Sequence, residues 1–428
     1  MTGAAADQTI QLDEAVFQTR LAGGPIVLSE HISTVRSVAV GIWVRWGASH
    51  DSVQMMGASH LLEHMVFKGT EGRTARQIAL EIEGIGGSLD AYTSREHTAC
   101  FAKVLDEHLP IAVDVLTDLV FRPLLRGEDL EIERRVILEE IAGVEDTPEE
   151  LVFDMHARSA WGEHPYGNPV LGTAETVGSM TLDDVHGLWK TAYRPDTCVV
   201  AAAGNLEHEA LLALVARHFP QTRGHSQAPC VPEPAPPAPE KRGVERDTAQ
   251  THICLGAPTF RRSDPRRFAS ILVSTALGGG MSSRLFQRVR EEFGLAYTVY
   301  TFQSFYTRGG LAGTYLATRP DSADRAIEEV RGELGLLSGT GLASEELRAV
   351  KNQTKGQVLL SLESTSARLQ RLAGVALYDE PYMNLDEICL RIDRVGEEEV
   401  AELCRKYYAP DHQTLIRLGP GSRGPAPK

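Results

Sequence analysis

The segment Ser59-His60-Leu61-Leu62-Glu63-His64-Met65-Val66-Phe67 sets two histidines and a glutamate in the spacing H-x-x-E-H. On a helix, positions 60, 63, 64 and 67 share one face, and Leu61, Leu62, Met65 and Val66 make the remainder apolar. Histidines one turn apart can reach a single ion, and the glutamate between them stands close enough to polarise a water held there. Composition alone would yield about 0.06 such matches in a chain with these counts of histidine and acid. The motif is therefore suggestive, and ordinary core or surface histidines remain the competing reading until something else faces them.

A second segment supplies it. Between Glu128 and Ile141, the residues Leu130, Ile137 and Ile141 form an apolar stripe, and Glu133 and Glu140 fall on that stripe two turns apart. A buried carboxylate without a partner costs several kcal/mol, so core-facing glutamates imply a partner, and a metal ion is the obvious one. Glu128, Glu131 and Glu139 fall off the stripe and are expected in solvent. His60, His64 and Glu140 would give zinc three ligands and leave a fourth position for water, the composition of a catalytic site.

The elements that must position these residues follow from patterning. Val38, Val40, Ile42 and Val44 alternate as a strand does, helices are expected over 58–67 and 75–85, and Ser88–Thr93 and Thr98–Val104 read as paired strands. Helical patterns follow over 109–121, 127–144, 148–161 and 182–192. Strands and helices come in runs, which favours α+β architecture with helices on largely antiparallel sheets. A proline-rich stretch, Ala228 to Pro239, cannot continue a helix or a central strand and divides the chain near its middle. The halves resemble each other: Tyr193-Arg194-Pro195-Asp196 and Tyr408-Ala409-Pro410-Asp411 stand 215 residues apart, and the helices around Leu130 and Leu347 stand 217 apart. The expected organisation is a zinc-binding domain over 1–227, a linker over 228–245, a homologous metal-free domain over 246–418 and a disordered tail over 419–428.

A length of 428 residues with 42% hydrophobic content supports two buried cores. The net charge of −15 excludes an overall basic footprint for nucleic acid. No apolar run reaches a membrane span, and Asp7, Asp13 and Glu14 interrupt the start, so a soluble cytoplasmic protein is expected. The six cysteines are scattered and read as reduced core fillers.

The segment Gly57 to Thr70, with Glu140 downstream and Glu133 seven residues before it, resembles the signature of the pitrilysin, insulin-degrading-enzyme and mitochondrial-processing-peptidase family of inverted-motif zinc peptidases. The likeness runs from about Thr19 to Leu418 and suits a member built of one two-domain unit. It implies His60, His64 and Glu140 as ligands of one zinc per chain, Glu63 as general base and Glu133 as a carboxylate orienting the site. It also implies that Ser88, Leu89, Asp90, Ala91, Tyr92 and Thr93 form an edge strand onto which a peptide substrate adds itself, although family members often carry asparagine where Asp90 stands. Arg290 and Tyr297, generic as a helix-end charge and a core strand residue, match the family's pair that stabilises charge on the scissile carbonyl.

Shifted by 217, the histidine motif lands on Leu277 to Met281, where no ligands stand and no G-K-[ST] follows the glycines, so neither metal nor nucleotide is expected there. The resemblance implies a zinc endopeptidase of unfolded or small peptides, a homodimer or a heterodimer with a diverged paralogue, and sites completed by the partner. The alternatives are a catalytically idle peptide-binding or assembly subunit, against which the intact Glu63 argues, and a zinc-dependent amidohydrolase of small molecules.

Overall fold

The computed structural model describes residues 8–220 and 230–422. The first sheet contains β1 (Gln8–Asp13), β2 (Val16–Arg20), β3 (Ile26–His31), β4 (Ser37–Val44), β5 (Ser88–Thr93), β6 (Thr98–Leu105) and β7 (Cys198–Gly204), in the order β1-β2-β3-β7-β4-β6-β5. The second contains β8 (Lys241–Val244), β9 (Thr251–Thr259), β10 (Ala296–Phe305), β11 (Gly310–Thr318) and β12 (Thr414–Leu418), in the order β10-β11-β9-β12-β8. Without β1 and β2, the two orders are the same. The one parallel pair also falls at the same place, β3 with β7 and β8 with β12. The expected α+β class and the two similar domains are both present.

The central strand β4, Ser-Val-Ala-Val-Gly-Ile-Trp-Val, is buried over all but its first residue because helices cover both faces of the sheet. Val38, Val40, Ile42 and Val44 meet one helical layer, including Leu61, Leu62, Met65 and Val66 of the helix Ala58–Val66. Ala39 and Trp43 on the opposite face meet Leu369, Leu372, Ala373 and Ala376 of the helix Thr365–Leu377. Arg368 is paired with Glu30 of β3, and Arg45 donates to the Ala376 carbonyl at 2.5 Å, fastening that helix at both ends. The second sheet has its own helical layer on one face, with Leu272 and Val273 of the helix Arg267–Gly278 in one core with Leu316 of β11. Its other face is covered by the helix Pro148–Trp161, with Val152 against Cys254, Tyr315 and Ile416.

These two covering helices begin 217 residues apart, at equivalent places in the repeat, yet each belongs to the compact unit of the other half. The first unit takes in residues 361–382 and the second takes in residues 142–168, so the units do not follow one cut near the prolines. Each sheet is apolar on both faces, and each second face is closed by the helix from the other repeat.

Parts of the expected linker and tail are structured. Residues 241–244 form β8 beside β12, because the prolines end at Pro239 and the following residues have amide protons to pair. Gly419 donates to the Val244 carbonyl, Gly421 donates to Glu245 and Ser422 is buried, so residues 419–422 continue the packed chain. Residues 228–229 of the linker, 423–428 of the tail, and 1–7 and 221–227 of the first domain lie outside the described residues. Four of the cysteines are buried as expected, whereas Cys230 is exposed and Cys389 half-buried; all six are free thiols. Among the described residues, no helix is long and apolar enough to cross a membrane.

Candidate metal centre

The helix Ala58–Val66 is fixed by its apolar side chains and by an unusual start. Its cap residue Gly57 has φ 88°, and a Cβ there would lie 2.4 Å from the Leu171 carbonyl oxygen, so only glycine fits. No adjacent side chain caps the helix. Asp51, eight residues before Ser59, accepts the Ser59 amide at 3.1 Å and the Ser59 hydroxyl at 2.6 Å. Burial pushes the Asp51 carboxyl up to about 6 despite these bonds, which favour its charged form.

His60 and His64 project from this helix with ring centroids 4.6 Å apart. The helix Gly127–Asp146 brings Glu140 to them: its carboxylate oxygens lie 3.8 Å from His60 Nε2 and 3.7 Å from His64 Nε2. The three donor atoms all lie within 4.8 Å of one another. Zinc bonds of about 2.0–2.1 Å at tetrahedral angles set donors roughly 3.4 Å apart, so this set fits zinc with a small contraction. Burial, and next the neighbouring His64, push the His60 imidazole down to about 4, leaving it neutral and able to ligate at neutral pH.

Glu133 is buried, as its place on the apolar stripe requires, and one oxygen lies 2.9 Å from His64 Nδ1. With Nδ1 as the donor, His64 Nε2 is left free to face Glu140. The other Glu133 oxygen pairs with Lys68 at 2.6 Å. Glu63 projects from the motif helix to β5, where the Thr93 hydroxyl donates to its Oε2 at 2.6 Å. Burial raises the Glu63 carboxyl above the usual range, and the Thr93 bond opposes that shift.

The other residues singled out in the sequence are placed as follows. Ser88 to Thr93 form β5, which among the described residues pairs only with β6 and stands at one edge of the first sheet. Leu89 and Ala91 pack toward the layer that contains the motif helix, while Tyr92 packs on the opposite face and donates to Gln370. Asp90 is exposed. Arg290 and Tyr297 lie in the second unit. Arg290 lies in the last turn of the π-helix Phe286–Glu292, with its guanidinium 4.6 Å from the Phe286 ring centre and 4.2 Å from that of Tyr297. A register shift between Ala296 and Thr298 leaves Tyr297 unpaired and 75% exposed, so it is not the core strand residue that its surroundings alone suggest.

Sequence reasoning missed Asp51, Lys68 and the side-chain role of Thr93. Lys68 follows His64 by four residues, the one local signal that it shares the motif's face. Asp51 carries no such signal, since the loop that returns it to Ser59 is set by tertiary packing.

Comparison with known proteins bears on the family and the fold. The insulinase (peptidase family M16) model matches residues 26–174, and the peptidase M16 inactive-domain model matches residues 179–354. An uncharacterized zinc protease of Streptomyces coelicolor is 38% identical over 399 residues, covering 91% of this chain and 86% of the relative. The uncharacterized zinc protease YmxG of Bacillus subtilis is 36% identical over 403 residues, covering 94% and 98%. Among solved structures, the peptidase M16 inactive domain from Pseudomonas fluorescens superposes with a TM-score of 0.87 at 22% identity, covering 95% of this chain and 98% of that one. A protease from Helicobacter pylori gives 0.87 at 20% identity, covering 97% and 99%. The structural matches speak for the fold and the sequence relatives for descent: this chain belongs to the insulinase family of peptidases, peptidase family M16.

Proposed function

We propose that this chain is a zinc-dependent endopeptidase that hydrolyses unfolded or small peptides. The observation that carries this reading is the convergence of His60, His64 and Glu140 donor atoms within 4.8 Å, with Glu63 on the same helix as the two histidines. Zinc, when bound, supplies Lewis acidity that polarises a carbonyl and acidifies water. Glu63 accepts the proton of the attacking water at its carboxylate and returns it to the leaving amine. Burial raises its proton affinity toward the range useful for that exchange. Glu133 orients His64 through Nδ1, and the open edge of β5 offers the hydrogen-bonding row on which an extended peptide pairs. The relatives' names as zinc proteases support the same class.

Metal analysis of the purified chain, with a peptide-library digest in the presence and absence of a chelator, tests this reading. About one zinc per chain and chelator-sensitive cleavage are expected; turnover undiminished after complete metal removal would overturn it. Pairing on β5 further predicts that N-methylating substrate amides near the scissile bond weakens binding more than changing side chains does.

The reading extends to assembly. Arg290 and Tyr297 are assigned to charge stabilisation at the scissile carbonyl, and the chain to a homodimer in which each site is completed by the partner. Mixing Glu63→Gln and Arg290→Ala chains then restores one site in each mixed dimer. After random exchange, activity of about one quarter of wild type is expected, since each parent is impaired through lost base or lost charge stabilisation. No recovery after verified exchange would remove the shared-site assembly.

A further inference from the structure

Strand β5 does more than offer an edge. Side chains alternate along it, and Leu89 and Ala91 point toward the helical layer that holds the metal motif. Thr93, two residues further, shares that face, and its hydroxyl donates to Glu63 Oε2 at 2.6 Å. Among the described residues, this is the one hydrogen bond made by the Glu63 carboxylate. Thr93 is itself held in place: it stands directly opposite Thr98 of β6, at 3.4 Å between hydroxyl oxygens. The Thr98 proton goes to the Trp46 carbonyl at 3.0 Å, and the Thr93 proton is therefore the one committed to Glu63. A threonine has few side-chain rotamers, so a hydroxyl on a paired β-branched residue is a rigid anchor.

We propose that Thr93 is a positioning residue that fixes one oxygen of the Glu63 carboxylate and ties the base to the strand on which the substrate pairs. This rests on the peptidase reading above for its catalytic consequence but not for the bond itself. Glu63 has three side-chain torsions and, without an anchor, its carboxylate would sample several orientations in the site. With the anchor, one oxygen is spoken for and the other is directed to the reacting water. Because Thr93 ends β5, any peptide that straightens or shifts this strand on pairing also moves the base.

Thr93→Val keeps the shape and removes the hydroxyl; Thr93→Ser keeps the hydroxyl. On a fluorogenic peptide, Thr93→Val is expected to lower kcat about 10- to 100-fold with KM and zinc content nearly unchanged, while Thr93→Ser stays within about threefold of wild type. Adding Thr93→Val to Glu63→Gln should reduce the residual rate little further, because both changes remove one function. A second readout uses the metal-free protein: the thermal-unfolding shifts of Thr93→Val and Glu63→Gln should be non-additive if the bond is present. Wild-type kcat in Thr93→Val, equal impairment of the valine and serine variants, or zinc lost from Thr93→Val would each overturn the positioning role. Were the wild-type protein inactive on every peptide, the peptidase reading would fall, while additive unfolding shifts would separately overturn the Thr93–Glu63 link.

Discussion

Apart from β1 and β2, the two sheets share a strand order, and they differ in what one helix carries to one edge. In the first unit, Glu63 on the helix Ala58–Val66 is bonded to Thr93 on the edge strand β5. In the second, Ser274 on the helix Arg267–Gly278 donates to Thr301 on the edge strand β10 at 2.8 Å, and the Thr301 hydroxyl returns a bond to the Ser274 carbonyl. A helix-to-edge hydrogen bond is present in both, but a hydroxyl pair satisfies itself, whereas a carboxylate keeps a second oxygen for other work. The helix of the second unit then runs out at Gly278 to Gly280, where the first has its histidines. A duplicated frame holds its shape with either pairing, so chemistry can be placed in one copy without altering the topology of the other.

The sharpest way to break this comparison is Glu63→Gln, expected to lower kcat on the order of 10²-fold or more while zinc content stays near one per chain. Loss of zinc as great as that expected of Glu140→Gln, which removes a ligand, would show that Glu63 is a ligand instead.

The pH dependence of stability separates the units next. His156, buried against β9 where a Cβ on Gly256 would come within 2.7 Å of its ring, is pushed down to about 4 by burial. Its folded value lies below the ordinary 6.5, so the stability it contributes is present above pH 6.5 and is lost as pH falls toward 4. The ceiling is about 3 kcal/mol, taking 1.36 kcal/mol per pH unit. Asp51 in the first unit has the opposite sign: its folded value of about 6 exceeds the ordinary one, so its contribution is present below about pH 4 and is lost as pH rises through 6. Urea midpoints from pH 4 to 7 should flatten at the acid end in His156→Leu and decline less toward neutrality in Asp51→Asn. Unchanged profiles in both variants would mean that neither group titrates within its fold.

Glu133→Gln should weaken zinc binding about 10- to 100-fold, because the neutral amide holds His64 less firmly and leaves Lys68 unpaired. Competition with a calibrated chelator measures this, and unaltered affinity would reduce Glu133 to a structural acid. The smallest effect is expected at the second unit's own pair. Ser274→Ala should cost about 1 kcal/mol of stability, the worth of one hydrogen bond, with kcat unaltered; a marked fall in kcat would show that the second edge also serves the reaction.

Much of this was legible in the sequence because the relevant signals are local. Helical and strand periods gave the elements around His60, Glu133 and β5 to within a few residues, and the stripe of Leu130 and Ile137 explained why Glu133 had to be buried. What was not legible depends on returns of the chain across long intervals. Asp51 meets Ser59 only after two short turns have doubled the loop back. Tyr297 is turned outward by a one-residue irregularity that alternation cannot foresee. The exchange of the helices Pro148–Trp161 and Thr365–Leu377 is invisible to periodicity, because either would suit either sheet by its apolar face.

That exchange sets an order of events during synthesis. The seven strands of the first sheet are all available once residue 204 has left the ribosome, but the helix that closes its outer face ends at Leu377. At roughly 5–20 residues per second, the wait is on the order of 10–30 s. Throughout it, Ala39, Trp43 and Val199 form part of an uncovered apolar sheet face on a chain still being made. Nascent chains arrested before residue 365 should therefore be held by chaperones that recognise apolar strands, and chains arrested well past residue 382 should not.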